Sequence, residues 1–372
     1  MGSSTNILAI RARTGFVKFP ILLTCLALAY IGINEYKARR SPRAHGTAHD
    51  IQSSRHGSSI RGVMTAFNGG RLGNQMGSYA VLYSLARLNR YAAYVHPRMH
   101  APLSRLFKIS LPVLPNELDN LTWVNFTGAD IMSESYGHMT EPYIVIRGYY
   151  NSWTFFHHIK NEILEQFTFH DHLKFRAWST LAKIREGRQN PTFVGVHVRR
   201  GDYITVMPRK YRGVLADKEY FGKAMGYFRK RYQEPVFVVA SDGPQWCREN
   251  IDASHSDVYF ANDWGESSPI KDLALLAHCN HTIMTIGTFG FWAAYLAGGE
   301  VVYLTNYTPS DSTWLKYFKP FANYLPEWIG MEAGTLPVQS GHRLVVKRVK
   351  LGVTRMSVQR LAVKKNNRRS YR

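Results

Sequence analysis

The chain has 372 residues, long enough for two ordinary domains with tails, and its 45% apolar content supplies a large core. The formal net charge of +21 suggests nucleic acid, but residues 1–62 carry nine Lys or Arg against two acids and residues 331–372 eleven against one, leaving 27 against 23 between them. A net of +4 over the middle argues against a basic groove and suits a small anionic ligand.

In chain order, Phe16 to Ile33 is apolar apart from Lys18 and a few small polar residues. At 1.5 Å per residue such a run reaches roughly 27 Å, enough for a thin bilayer. Cations flank it on both sides (Arg11, Arg13 and Lys18 before, Lys37, Arg39, Arg40 and Arg43 after), so the positive-inside rule does not fix its orientation. Ala27-Leu-Ala29 also fits a signal-peptidase site, so residues 16–34 read as an anchor behind a tail at 1–15, or as a cleaved signal. Residues 35–61 are Ser, Arg, His and Gly with almost no large apolar side chain, a flexible stem.

A first domain spans 62–190. Val63–Phe67 reads as a strand, the glycines at 69, 70 and 73 as a turn, and a helix follows to about Asn89. Ala92–Val95 and Tyr143–Ile146 are further strands. A glycine-rich strand-to-helix turn can cradle an anion or simply reverse the chain. The aromatic run around Tyr149, Tyr150 and Trp153 reads as core or as a surface that stacks on a sugar.

The second domain, 191–330, alternates strand and helix: strands at 193–198, 236–240, 258–260, 282–285 and 301–304, helices near 219–231, 244–250, 271–277 and 291–297. That alternation predicts a doubly wound parallel sheet. Phe193–Val198 is a nearly continuous apolar run, as in a strand covered on both faces, and Gly201 lets the chain bend at its carboxyl end. Arg199 and Arg200 present planar forks of donors suited to phosphate oxygens, with Asp202 placed to orient one of them. Ser241-Asp242 ends a second strand on the same edge. Gly287-Thr288-Phe289-Gly290 joins a strand to a helix, so its N–H groups and the Thr288 hydroxyl can hold a diphosphate. The tail at 331–372 is basic and reads as solvated. Three cysteines with no CxxC pair argue against structural zinc, and Cys247 and Cys279 permit one disulfide without demanding it. Sequons stand at Asn120, Asn125, Asn280 and Asn306.

His197-Val-Arg-Arg-Gly-Asp202 resembles the donor-binding motif of the α-1,2-, α-1,6- and protein O-fucosyltransferases. Gly70-Arg-Leu-Gly-Asn-Gln-Met-Gly77, Trp153-Thr-Phe-Phe-His-His158, Trp246-Cys-Arg-Glu-Asn-Ile251 and the stretch from His281 to Leu296 are similar to the galactoside α-1,2-fucosyltransferases that make the H determinant. The likeness runs from about Gly62 to Gly330. It implies a GT-B-like fold of two Rossmann-like domains facing a cleft, behind an uncleaved anchor in the Golgi membrane with the catalytic part luminal. It implies GDP-fucose as donor and a terminal β-galactoside as acceptor, with inversion at the anomeric centre. Nucleic acid is not an implied partner, and neither a cofactor nor a metal is required, since the sequence has no Asp-x-Asp.

In this picture Arg199 and Arg200, helped by Thr288, stabilise the leaving GDP, and Asn74 counts with the two arginines as catalytic. Arg71, Asn74 and Gln75 lie over the fucose, and Asp272 accepts from guanine nitrogens. Asp202 and His197 remain as candidates for a base or as supports for the arginines. Ser78 departs from the family, whose vertebrate members carry an acid there, which leaves that position's part in acceptor handling open. Two rivals stand beside this reading: a protein O-fucosyltransferase, and a non-catalytic glycan-binding protein on the same scaffold.

Overall fold

In a computed structural model of the chain, residues 60–265 and 267–334 are described. The expected anchor at 16–34, the tail before it, the stem up to residue 59 and the basic tail from 335 lie outside those residues.

The first sheet collects β1 (Gly62–Phe67), β2 (Tyr91–Val95), β3 (Val124–Asn125) and β4 (Tyr143–Arg147) in the order β2-β1-β4-β3, all parallel. The second collects β5 (Thr192–Val198), β6 (Pro235–Ser241), β7 (Val258–Phe260), β8 (His281–Met284), β9 (Val301–Leu304) and β10 (Ile329–Met331). Its order is β10-β9-β8-β5-β6-β7, again all parallel. The helices in chain order are α1 (Leu72–Asn89), α2 (Pro97–Leu106), α3 (Lys160–Gln166), α4 (Asp171–Arg185), α5 (Tyr203–Tyr211), α6 (Lys218–Arg231), α7 (Pro244–Asn250), α8 (Pro269–Ala277), α9 (Thr288–Ala297), α10 (Trp314–Tyr317) and α11 (Pro320–Asn323).

Each sheet has one point where the strand order reverses. In the second sheet the chain runs outward from β5 to β6 and β7, then crosses to lay β8 on the other flank of β5. In the first, β1 gains β2 on one side and β4 on the other. Adjacent loops diverge at such points and leave a crevice at the carboxyl ends of the strands.

Val194, Val196 and Val198 are at most 1% exposed, as their continuous apolar run requires of a strand covered on both faces. Helix α1 is buried on nearly every side, because it packs on β1 and β2 and also on α9. Its neighbours form an aromatic seam between the two sheets: Phe167 lies 5.5 Å from Tyr79 and 4.9 Å from Trp292, and Phe156 stacks on Trp292 at 5.3 Å. Burying each such side chain contributes about 2–3 kcal/mol.

The helices at 97–106 and 203–211 were not expected, and both carry an interior proline (Pro102, Pro208) that reads as a breaker. Cys247 and Cys279 are both buried free thiols, so the permitted disulfide is not formed.

Candidate active site

β5 delivers Arg199 and Arg200 to the second sheet's switch point. The crevice is closed at its base by the Arg199 N–H, which donates to Thr285 Oγ1 at the end of β8 (2.9 Å). Past that point the two arginines differ. The Arg199 guanidinium pairs with both Asp202 and Asp242 and lies over the Tyr203 ring at 4.9 Å. Asp242 also accepts from the Arg200 N–H at 2.6 Å. Gly201, with φ +30°, fits because a Cβ there would collide with the Asp242 carboxylate. Asp202 therefore orients Arg199 and not Arg200.

The Arg200 guanidinium has no carboxylate partner among the described residues. It lies over the Trp246 ring at 4.0 Å, its Nε is buried without a hydrogen-bond partner, and burial lowers its pKa. A cation held on an aromatic face with donors unmet is poised for an anionic ligand.

Two helix N-termini converge at the end of β8, on the flank of β5 opposite β6. α1 and α9 each begin with no acidic residue in the first turn and no side-chain cap, so both positive ends are uncompensated. Gly73 in the first turn of α1 lies so close to α9 that a Cβ would stand 2.6 Å from the Phe289 nitrogen and 2.7 Å from Thr288 Oγ1. The Thr288 hydroxyl donates to Asn74 Oδ1 at 2.9 Å, tying the two helix ends together. Gly287, at φ +111°, is the N-cap of α9.

The loop before α1 is fixed at the first sheet's switch point by Asn68, 4% exposed. Its Oδ1 accepts from the Gly70 N–H (2.7 Å), and its Nδ2 donates to Ser78 Oγ (2.9 Å) and to the Gly148 carbonyl after β4 (2.7 Å). Ser78 is thus a buried support of the loop, at 1% exposure. Gln75 Nε2 donates to the Gly70 carbonyl at 2.9 Å. Arg71 is exposed at the N-cap of α1.

His197 sits beneath these groups, 6% exposed, stacked on Phe289 at 5.3 Å and beside Gly290. Burial pushes its pKa down to about 4, so it is neutral at physiological pH. That makes it a floor under the loop and a poor base. Ser241 Oγ accepts from the Gly243 N–H at 2.9 Å and shapes the turn before α7. Asp272, in the first turn of α8, accepts from Ser267 Oγ at 2.9 and 2.7 Å, and burial raises its pKa. With Arg176, Thr180, Ser267 and Lys271 it lines a small recess of about 30 Å³ between α4, α8 and the loop after β7.

Sequence reasoning did not single out Asn68, Thr285, Tyr203 or Trp246 as site residues, nor Asp130. Trp246 lay inside a quoted block, so a signal was present for it. Asp130 accepts from the Asn151 and Ser152 N–H groups on one oxygen, 3.0 Å each, and burial raises its carboxyl to about 6. Among the sequons, Asn120, Asn125 and Asn280 are exposed, whereas Asn306 is bonded through both amide atoms to Ala333.

Residues 33–332 match the family described as glycosyl transferase family 11. The chain is 54% identical over 287 residues to galactoside alpha-(1,2)-fucosyltransferase 1 of Saimiri sciureus, covering 76% of this chain and 78% of that one. It is 47% identical over 341 residues to the enzyme of the same name from Sus scrofa, covering 91% and 90%. Among solved structures it is similar to the fucosyltransferase NodZ from Bradyrhizobium, with a TM-score of 0.45 and 14% identity, covering 69% of this chain and 98% of that one.

Proposed function

The chain belongs to glycosyl transferase family 11, and from that membership we propose that it transfers L-fucose from GDP-β-L-fucose to the 2-hydroxyl of a terminal β-galactose. The product is an α-1,2 linkage, formed with inversion. The observation that carries the reading is the convergence of two uncapped helix N-termini, tied by Thr288 and Asn74, at the same sheet edge as an arginine with unmet donors. This arrangement supplies fixed positive charge where a diphosphate would gain negative charge on departure.

In the step itself the anomeric C–O bond to GDP breaks while the galactose 2-hydroxyl attacks from the opposite face and loses its proton. Arg200, Thr288 and the N–H groups of α1 and α9 hold the departing diphosphate, and Arg199 is the post that Asp202 and Asp242 set in place. Asp272, in its recess, is the acceptor for guanine N–H groups. Both carboxylates nearest the arginines are ion-paired and His197 is a weak, buried base. Leaving-group departure therefore runs ahead of attack, through an oxocarbenium-like transition state, and no divalent metal is needed.

We read the two parallel sheets, joined at their carboxyl edges, as GT-B-like. The proposal extends to a Golgi membrane enzyme anchored by residues 16–34, supported by the apolar run there and by the exposed sequons. The test is a screen of nucleotide sugars against β-galactosides, with the product linkage assigned by NMR. Fucose on O2 of galactose is expected. Fucose on a folded protein domain with none on galactosides would overturn the assignment.

A further inference from the structure

The donor reading uses the switch point of the second sheet. The first sheet has one too, between β1 and β4, and its mouth carries a side chain that the reading leaves without a task. Asn68 spans this crevice, holding the Gly70 N–H after β1 and the Gly148 carbonyl after β4. Gly148 adopts φ +112°, and the next residue, Tyr149, is 64% exposed.

Its aromatic neighbours are all occupied. Tyr150 donates to the Phe126 and Gly128 carbonyls and packs on Phe126 and Phe155. Trp153 donates to the Tyr324 carbonyl at 3.0 Å and packs on His157. Tyr149 alone of the three has, among the described residues, neither a partner for its hydroxyl nor a ring beside it. Yet its backbone is held firmly: Gly148 by Asn68, and its own carbonyl by Asn151 Nδ2 at 3.0 Å. The Asn68 network continues through the glycine loop to Asn74 and so to Thr288.

Resting on the proposed function above, we propose that Tyr149 is the platform on which the acceptor galactose stacks, a specificity-determining residue of the first sheet's switch point. A β-galactopyranoside has an axial 4-hydroxyl, which leaves the C–H groups of C3, C4 and C5 together as an apolar patch on the opposite face. Stacking that patch on a tyrosine ring removes apolar surface from water on both sides. The equatorial 2-hydroxyl stays at the rim of the sugar, free to face the donor. An exposed aromatic on a rigid mount loses little side-chain freedom on binding.

The test measures acceptor KM, kcat and GDP affinity for wild type, Tyr149→Ala, Tyr149→Phe and Tyr149→Trp. Phe175→Ala, an exposed aromatic on α4, serves as control. Tyr149→Ala is expected to raise acceptor KM about 3- to 10-fold, the scale of one aromatic stacking contact, with GDP affinity and melting temperature unchanged. The Phe and Trp variants should restore KM to within about twofold, since the ring is needed and not the hydroxyl. Unchanged KM in Tyr149→Ala, an equal fall in GDP affinity, or no rescue by Phe would each overturn the proposal. A wild type that binds GDP-fucose yet fucosylates no galactoside overturns instead the reading on which it rests.

Discussion

At the scale of single residues, two adjacent arginines sit in different surroundings. Arg199 has two carboxylates and a tyrosine face; Arg200 has a tryptophan face and donors left over. Arg199→Lys keeps the charge but loses the planar fork that bridges Asp202 and Asp242. It is expected to lower stability by about 1–2 kcal/mol along with activity, because a partly buried carboxylate loses a charged partner. Melting curves check this: an Arg199→Lys protein that melts like wild type would show that the ion pairs are decorative.

Asp130 gives a second residue-scale prediction. Burial raises its carboxyl from 3.8 to about 6, so the folded chain binds this proton more tightly than the unfolded one. The stability linked to it is complete below about pH 4 and is lost as pH rises through 6. Asp130→Asn keeps an oxygen for the Asn151 and Ser152 N–H groups and removes the buried charge. The variant should be more stable than wild type at pH 7, by up to about 3 kcal/mol, with the gap closing toward pH 4. His197 works in the opposite sense, its stability present above 6.5 and lost toward 4, so wild-type melts alone would blend the two. A constant difference between Asp130→Asn and wild type across that range would contradict the assignment.

At the scale of elements, the abutting ends of α1 and α9 make a sharp prediction about glycine. Gly73→Ala would drive a methyl group into the Phe289 nitrogen and Thr288, both fixed backbone neighbours. It is expected to cost about 1–3 kcal/mol and to weaken GDP binding by spreading the two helix ends. Gly222→Ala, inside α6 with nothing within 4 Å of the new methyl, should instead stabilise by about 0.5–1 kcal/mol. Thermal melts of the pair with GDP titrations decide it; similar behaviour of the two variants would remove the close approach from the account.

The two- and three-residue edge strands β3 and β10 are too short to show a pattern and were not expected. The other strands were legible at this scale because each is a short apolar run, and β5 to β9 fall within a residue or two of the expected bounds. α2 and α5 were not, because an interior proline hides a helix that tertiary packing tolerates. α4 did carry a helical signal, with Leu173, Ala177, Leu181 and Ile184 all buried, but it sits in a stretch dominated by aromatics and charge. The Arg199–Arg200 pair was legible as a phosphate fork. The division of labour between them was not, since Asp242 and Trp246 come from a different strand and helix, more than 40 residues downstream.

At the scale of the whole molecule, two sheets meet through α1 and α9, and in the proposed function the second sheet's switch point holds the donor while the first, through Tyr149, receives the acceptor. In that proposal arginine and helix ends take the place of a metal in neutralising the diphosphate. The most direct measurement of that claim is kcat for fucose transfer to a β-galactoside by wild type and Arg200→Lys, both in excess EDTA. Wild type should turn over at its full rate, and Arg200→Lys should be slower by about 100- to 1,000-fold at an unchanged melting temperature. Loss of wild-type turnover on chelation, restored by Mg²⁺ or Mn²⁺, or an Arg200→Lys enzyme keeping more than about a third of wild-type kcat, would contradict it.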